Sequence, residues 1–216
     1  MSQPTLLRVF FYHLYHTFAW AYDVVAALVS LGQWNEWIED VRPFLSGSRL
    51  LELGHGPGHL QRSLRDLGWA AVGIDESAPM GRLARRRLLA AGKEPAMVRA
   101  LAQALPFPSA AFDTVVATFP TEYILDERTA RESLRVLKPD GRLVILLNVF
   151  FAGHSMSHRF LRRLYRFTRQ TAPTPSVDEF TPMRDLFLAA GYRQVKIHTL
   201  AHGETLLTLF FAFPGE

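Results

Sequence analysis

The sequence predicts an α/β fold with a mostly parallel sheet, and three observations lead to this fold class. From residue 48 onward, short apolar runs alternate with amphipathic stretches, as strands alternate with the helices that connect them. Most of these runs are continuously apolar, which is typical of strands covered by helices on both faces. The final two runs lie close together in the sequence, and we expect them to pair as an antiparallel hairpin at the edge of the sheet.

The composition is that of a globular domain. The chain has 216 residues, of which 49% are hydrophobic and 20% charged, so one domain with a sizeable core is expected. These values exclude a disordered chain, a collagen-like repeat and a disulfide scaffold. The chain has no cysteine, which excludes thiolate metal sites and cysteine nucleophiles. The eight histidines show no metal-ligand spacing, so we expect no metal centre.

The basic residues are almost all arginine. The chain has 21 Arg against 3 Lys, and its net charge is +4. Genomic base composition explains this bias without a functional reason, whereas an anionic surface such as lipid headgroups or nucleic acid is the functional alternative.

The N-terminus lacks a charged start and a small-residue cleavage site, so no secretory signal is expected. The most apolar stretch, residues 9–31, contains His13, His16 and Asp23. A charge near the middle of a membrane span costs about 2.5–3.5 kcal/mol, so we do not expect a transmembrane helix. The predicted location is the cytoplasm, with peripheral contact at the membrane as an option.

The N-terminal region predicts two aromatic helices. Large apolar side chains at nearly every turn predict a helix over residues 5–30, and a second, shorter helix is expected over 33–44, after Gly32. Nine of the 26 aromatic residues precede residue 38. We expect residues 1–45 to pack against the core or to form a lid over an apolar ligand.

The core elements then follow in order, with glycine or proline at several of their ends. The predicted strands are 49–53, 70–74, 96–99, 112–117, 142–149, 192–200 and 205–212. The predicted helices are 57–67, 78–91, 127–137 and 178–190.

A glycine-rich loop joins the first strand to its helix, in the segment LLELGHGPGHL over residues 50–60. Glycine suits this position because the chain must turn tightly and its backbone must approach a ligand without a Cβ in the way. Pro57 suits the first turn of the helix, where its missing N–H is no loss. The spacing is E-x-G-x-G-x-G, formed by Glu52, Gly54, Gly56 and Gly58.

Two classes of cofactor compete for this loop. A dinucleotide fingerprint requires glycine at position 59, where this chain has His59. Glu52, just before the loop, would repel a pyrophosphate but suits a cationic amino group, held directly or through water. Asp75 ends the next strand, 21 residues after Gly54, and can accept both hydroxyls of a ribose in either class. Capping of the helix ahead of Ser77 is its structural alternative.

These residues resemble the class I S-adenosylmethionine-dependent methyltransferases, of the type 11 kind. The resemblance continues in residues 104–113, like the segment leading into the family's fourth strand, and in 135–143, like the turn before its fifth. Together the segments cover roughly residues 48–150. The resemblance implies a Rossmann-like sheet of seven strands and S-adenosyl-L-methionine as the cofactor.

The same resemblance implies which residues hold the cofactor. The three loop glycines would pass beneath its methionine part, and Asp75 would bind its ribose. The family often has an aspartate facing the adenine amino group where this chain has Leu101, and the N–H of Ala102 and the neighbouring Gln103 can substitute. The predicted cofactor contacts are Glu52, Gly54, Gly56, Gly58, Asp75, Glu76, Met80, Ala102, Gln103 and Thr118.

The acceptor is less constrained, because methyl transfer is an in-line displacement in which the protein mainly supplies orientation. The segment from Tyr22 and Asp23 to Trp37 resembles the N-terminal segment of quinone-biosynthesis C-methyltransferases, which implies that Tyr22 borders cofactor and acceptor. A buried tyrosine with a hydrogen-bonded hydroxyl is the structural alternative. Glu122, after the fourth strand, is the predicted base or cation contact, with solvation at the surface as its alternative.

Residues 158–169 alternate arginine with large apolar side chains. A helix there would set an apolar stripe beside a basic face, which is typical of an element at a membrane surface. An ordinary amphipathic cap with solvated arginines is the alternative. The TAPTP stretch that follows, residues 171–175, predicts a hinge.

We therefore predict a methyltransferase that acts on a small or lipid-like acceptor, such as a quinone precursor or a lipid headgroup. Methylation of a protein or nucleic acid through the arginine face remains an alternative, as does a non-catalytic binding module, which Leu101 favours. The predicted parts of the single domain are a lid over 1–45, a cofactor-binding half over 46–150, a basic insertion over 151–176, and a C-terminal helix and hairpin over 177–216.

Overall fold

The computed structural model describes residues 22–151 and 180–215. The helices are Tyr22–Ser30 (α1), Trp34–Glu39 (α2), His59–Asp66 (α3), Ala78–Ala90 (α4), Glu127–Val136 (α5) and Thr181–Ala189 (α6). The strands are Arg49–Leu53 (β1), Ala70–Asp75 (β2), Met97–Arg99 (β3), Phe112–Thr118 (β4), Leu137–Phe151 (β5), Gln194–His202 (β6) and Thr205–Phe213 (β7). Short 3₁₀ turns cover Arg42–Phe44 and Glu122–Leu125.

The strands form one seven-stranded sheet in the order β3-β2-β1-β4-β5-β7-β6. The first five strands pair in parallel, while β7 runs antiparallel to both β5 and β6. The predicted α/β class, the mostly parallel sheet and the antiparallel hairpin are therefore confirmed. The strand order reverses direction between β1 and β4, and ligands of open α/β sheets bind at the carboxyl ends of the strands beside such a point.

Side chains from the two faces of the sheet enter two separate cores. Strand β1 supplies both, because Leu50 lies in one core and its neighbour Leu51 in the other. The first core includes Trp37 of α2 and Leu60 of α3, and the second includes Phe187 of α6. Helices thus cover both faces, which is why the central strands are apolar on both sides.

Two element boundaries differ from the sequence prediction. The helix expected over residues 33–44 ends at Glu39 and is followed by a 3₁₀ turn, because the proline at position 43 has no amide N–H with which to continue the hydrogen bonding of an α-helix. Strand β5 begins at Leu137 rather than at residue 142, since Leu137 pairs with Phe112 of β4 across a register shift.

Several predictions lie outside the described residues. They concern the helix over 5–30 before Tyr22, His13 and His16, the basic helix over 158–169, the hinge over 171–175, and the first residues of the helix over 178–190. Within the described ranges, no helix combines the length and the hydropathy that crossing a membrane requires.

Candidate functional site

A cavity of about 200 Å³ opens at the carboxyl ends of the parallel strands, beside the point where the strand order reverses. The segments that follow β1, β2, β3 and β4 all contribute to its wall, and helix α1 adds one residue. The predicted site residues among its lining are Tyr22, Gly54, Gly56, Asp75, Glu76, Ala102, Gln103 and Thr118. Segments distant in sequence therefore meet at the place where the fold class expects a ligand.

The glycines of the loop have different structural roles. All three have positive φ, and a Cβ added to Gly54 would lie 2.6 Å from the hydroxyl oxygen of Tyr123. A Cβ added to Gly58 would lie 2.7 Å from the Cβ of Ala84 in α4. A Cβ added to Gly56 would meet nothing within 4 Å, because this residue faces the cavity. Gly54 and Gly58 thus permit close packing, whereas Gly56 has no side chain that would keep a ligand away from the backbone.

The Asp75 carboxylate joins the wall of the cavity to the glycine loop. Its Oδ2 accepts a hydrogen bond from the Gly56 N–H at 2.9 Å, and its Oδ1 accepts one from the Ser77 N–H at 2.8 Å. Ser77 in turn caps helix α4 by accepting a hydrogen bond from the Met80 N–H. Ser77 rather than Asp75 is therefore the cap of this helix, and Asp75 holds the residue that caps it. Asp75 also lines the cavity, where the remaining lone pairs of its carboxylate can accept further hydrogen bonds.

Glu52 lies behind the loop and does not line the cavity. Its side chain is buried, and its Oε2 accepts a hydrogen bond from Nε2 of Gln61 at 2.8 Å. Burial raises the pKa of Glu52 to about 8, Gln61 opposes this shift, and the charge of Asp75 adds to it. In this arrangement the carboxyl group connects strand β1 to helix α3.

Three other predicted residues also lie outside the cavity wall. Gly58 packs against α4, and Met80 is fully buried at the start of that helix. Glu122 is exposed in the turn after β4, while its neighbours Thr121 and Tyr123 line the cavity. The turn after β4 thus contributes to the cavity through the neighbours of Glu122, while Glu122 has the exposed position that was its structural alternative.

The segment after β3 lines the cavity where an adenine was expected. Leu101, Ala102 and Gln103 all contribute, and the side chain of Leu101 is 51% exposed. Leu101 therefore offers an apolar contact in this part of the wall, beside the polar side chain of Gln103.

Tyr22 and Phe119 line the side of the cavity nearest α1, and the ring of Trp34 packs against both of them from outside the lining. The rings of Trp34 and Phe119 lie 4.5 Å apart, and Tyr22 meets Trp34 edge-on at 6.2 Å. Phe119 has a φ of +48°, a conformation that costs a bulky residue energy and that clusters at functional sites. We call Tyr22, Trp34 and Phe119 the aromatic wall.

Two aromatic residues of the cavity wall are not among the predicted site residues. Tyr123 lines the cavity, and its hydroxyl donates a hydrogen bond to the carbonyl oxygen of Leu53 at 3.0 Å. Phe119 lines the cavity as well. Their position directly after the fourth strand was the available signal, because parallel strands bring their carboxyl ends to one edge of the sheet. No group of three potential metal ligands occurs in residues 22–151 and 180–215.

Comparison with known proteins gives matches over the same region. Residues 51–145 match a family described as "Methyltransferase domain". The chain is 38% identical over 131 residues to a demethylmenaquinone methyltransferase of Thermus thermophilus, covering 58% of this chain and 60% of that protein. It is 34% identical over 144 residues to a ubiquinone/menaquinone biosynthesis C-methyltransferase of an Enterobacter species, and this match covers 62% of this chain and 57% of that protein. The match thus spans less than two thirds of these curated relatives.

Solved structures show the same fold at lower identity. A S-adenosylmethionine-dependent methyltransferase of Thermotoga maritima superposes with a TM-score of 0.65 at 20% identity, covering 94% of this chain and 98% of that one. A phosphoethanolamine N-methyltransferase of Haemonchus contortus, solved with S-adenosylhomocysteine, gives a TM-score of 0.58 at 16% identity, covering 86% and 53%. The predicted fold is confirmed, and so is the resemblance on which residues 48–150 were interpreted.

Proposed function

We propose that this chain, whose residues 51–145 match a methyltransferase domain family, transfers a methyl group from S-adenosyl-L-methionine to a small, lipid-like acceptor. One observation carries the proposal. Open glycine backbone at Gly56, the Asp75 carboxylate and the segment 100–103 meet in one cavity at the reversal of the strand order. Each is of the chemical type that a different part of this cofactor requires.

The residues present fit the cofactor. Asp75 suits a pair of ribose hydroxyls, since a carboxylate accepts several hydrogen bonds at once. Gly56 lets the backbone approach the methionine part, and Leu101 provides an apolar surface for the adenine. The bound cofactor supplies an electrophilic methyl group on a sulfonium. The protein residues bind and orient it, and the aromatic wall keeps water from the reacting atoms.

The acceptor that we propose is a quinone-type ring. Two relatives that share 34–38% identity are named for methylation in menaquinone or ubiquinone biosynthesis. The aromatic wall supports the same class of acceptor, because flat apolar rings suit stacking against a planar ring. A carbon or hydroxyl acceptor must lose a proton. Tyr22 lines the cavity and Glu122 does not, so Tyr22 is the better placed of the two predicted groups.

Calorimetric titration of S-adenosylmethionine and S-adenosylhomocysteine into the purified protein tests the cofactor. We expect micromolar binding that Asp75→Ala abolishes, and absence of binding of both compounds would favour a non-catalytic module. A second assay offers reduced demethylated quinones, a lipid extract, peptide and RNA as acceptors. Methylation of peptide or RNA alone would overturn the lipid-like acceptor.

The predicted division of the chain stays a proposal: a lid over 1–45, a cofactor-binding half over 46–150, an insertion over 151–176 and a C-terminal part over 177–216. We also propose that residues 158–169 bring the protein to the membrane surface that holds a lipid-like acceptor. Sedimentation with anionic and with neutral vesicles tests this contact. If as much protein stays in the supernatant with anionic vesicles as with neutral vesicles, the proposed membrane contact is contradicted.

A further inference from the structure

Helix α1 supplies Tyr22 to the cavity, yet its described residues bury little apolar surface. Only Ala26 and Ser30 are buried within Tyr22–Ser30. Val24 and Leu28 are 58% and 69% exposed. A segment with few buried apolar contacts opens at low free-energy cost unless other interactions hold it. Polar contacts are therefore decisive for the position of this helix.

Ser30 of α1 accepts a hydrogen bond from the Trp34 N–H of α2, and Asp23 makes two further contacts. Its Oδ1 lies 2.9 Å from Nε2 of His59, the first residue of α3, and its Oδ2 accepts a hydrogen bond from Nη2 of Arg87 in α4. Arg87 also donates, through Nη1, to the carbonyl oxygen of Pro57 within the glycine loop. One carboxylate thus joins α1 to both helices that flank the loop.

The two partners are more protected from solvent than Asp23 itself. The side chains of His59 and Arg87 are 19% and 20% exposed, while that of Asp23 is 48% exposed. The hydrogen bond from His59, together with the charge of Arg87, holds the pKa of Asp23 below its usual range against the effect of burial. Asp23 is therefore ionised throughout the neutral range and available to both donors.

We infer that Asp23 is a positioning residue, a latch that holds α1 closed over the cavity by its contacts with His59 and Arg87. This inference rests on the proposed function, because closure matters only if the cavity binds a ligand. His59 occupies the position where a dinucleotide site would need glycine. In this chain that position carries instead the donor that fixes Tyr22 against the cavity.

The latch couples closure to ligand binding. If only the closed arrangement binds tightly, the apparent dissociation constant rises in proportion as the closed fraction falls. By reciprocity, a bound ligand stabilises α1 in its closed position. A contact that served only the stability of the fold would lower the melting temperature without changing affinity.

The test compares three latch variants with a control by calorimetry with S-adenosylhomocysteine. Asp23→Asn removes the charge, His59→Leu removes one donor, and His59→Gln keeps an N–H donor near the position of Nε2. Glu36→Gln is the control, since Glu36 of α2 contacts Nε2 of His202 at 3.2 Å in another exposed carboxylate–histidine pair. We expect roughly fivefold weaker binding for Asp23→Asn and His59→Leu, recovery in His59→Gln, and no change in Glu36→Gln.

Hydrogen exchange of residues 22–30 gives a second readout. We expect faster exchange in Asp23→Asn than in the wild type, and added S-adenosylhomocysteine should slow exchange in the wild type. Wild-type affinity in the folded Asp23→Asn and His59→Leu variants would overturn the latch while leaving the proposed function intact. Failure of the wild type to bind S-adenosylhomocysteine would overturn the proposed function itself.

Discussion

The backbone N–H of Gly56 donates a hydrogen bond of 2.9 Å to Oδ2 of Asp75, so the end of strand β2 holds the loop that follows strand β1. The same carboxylate accepts a hydrogen bond from the N–H of Ser77 at the start of helix α4. The geometry of the loop and the proposed ribose contact therefore depend on one side chain. A substitution at Asp75 changes both at once.

Replacement of Asp75 by asparagine is expected to weaken binding of S-adenosylhomocysteine by about tenfold to a hundredfold, since hydrogen bonds to a charged group are worth about 1.5–3 kcal/mol. Calorimetric titration measures this change. Asp113→Asn is the matched control, because Asp113 also accepts two backbone N–H groups, those of Ser48 and Arg49, away from the cavity. The control should lower the melting temperature and leave the affinity unchanged. Equal affinity losses in the two variants would contradict a specific role for Asp75.

Alanine substitutions separate the two roles of the loop glycines. Gly54→Ala should lower the melting temperature more than Gly56→Ala, because the new Cβ would lie 2.6 Å from the Tyr123 hydroxyl in addition to the backbone strain. Gly56→Ala should weaken S-adenosylhomocysteine binding, because its Cβ would enter the cavity. Thermal melts and titrations of both variants check this. Combining Gly54→Ala with Tyr123→Phe should restore part of the lost stability, and no recovery at all would contradict the contact.

The buried Glu52 predicts a pH dependence of stability. Its pKa is raised from 4.5 to about 8 by burial, so the folded protein holds a proton that the unfolded chain releases. The contribution of Glu52 to the free energy of unfolding is fully present below the pKa that this residue has in the unfolded chain. It is lost as pH rises towards 8, by up to about 1.4 kcal/mol per pH unit. Glu52→Gln abolishes this contribution.

Melting temperatures of wild type and Glu52→Gln between pH 5 and pH 9 measure the effect. As pH rises, the melting temperature of the wild type should fall relative to that of Glu52→Gln. Glu127→Gln is the control, because Glu127 is an exposed residue of helix α5. Its melting temperature should depend on pH as that of the wild type does. A constant difference across this range would show that Glu52 is ionised in the folded protein at pH 5 already.

We expect a substitution in the aromatic wall to weaken binding of the acceptor and to leave binding of the cofactor unchanged. Trp34→Leu removes the ring that lies 4.5 Å from Phe119, so KM for a quinone-type acceptor should rise roughly tenfold while the affinity for S-adenosylhomocysteine stays close to that of the wild type. Phe44→Leu is the control, since Phe44 packs against Phe211 and His198, whereas Trp34 packs against Tyr22 and Phe119, which line the cavity. Equal effects of the two variants on KM would assign the loss to general packing.

Local sequence patterns were sufficient for the sheet and the loop. Strands β1, β2 and β4 were predicted to within one residue of their observed bounds, because a covered parallel strand is continuously apolar and leaves a run that is easy to recognise. The loop was found because glycine is required where φ is positive and a neighbour is close, as at Gly54.

Other features depended on contacts that no local pattern encodes. Glu52 was expected beside a ligand, yet it is buried against Gln61, nine positions along the chain. Glu122 was chosen for its charge, whereas Tyr123 is the neighbour whose side chain reaches the loop. The period of a strand or helix predicts which face is buried, but it does not predict which distant group meets that face.

The sequence by itself determined the α/β class, the glycine loop and the carboxylate at the end of the second strand, because these depend on backbone conformation and on patterns within about twenty residues. The tertiary structure alone decided that β7 lies between β5 and β6, that Phe119 packs against Trp34, and that Asp23 joins α1 to His59 and Arg87. The physical reason is that these contacts join residues far apart in the chain, whose meeting depends on how the whole sheet and its helices pack.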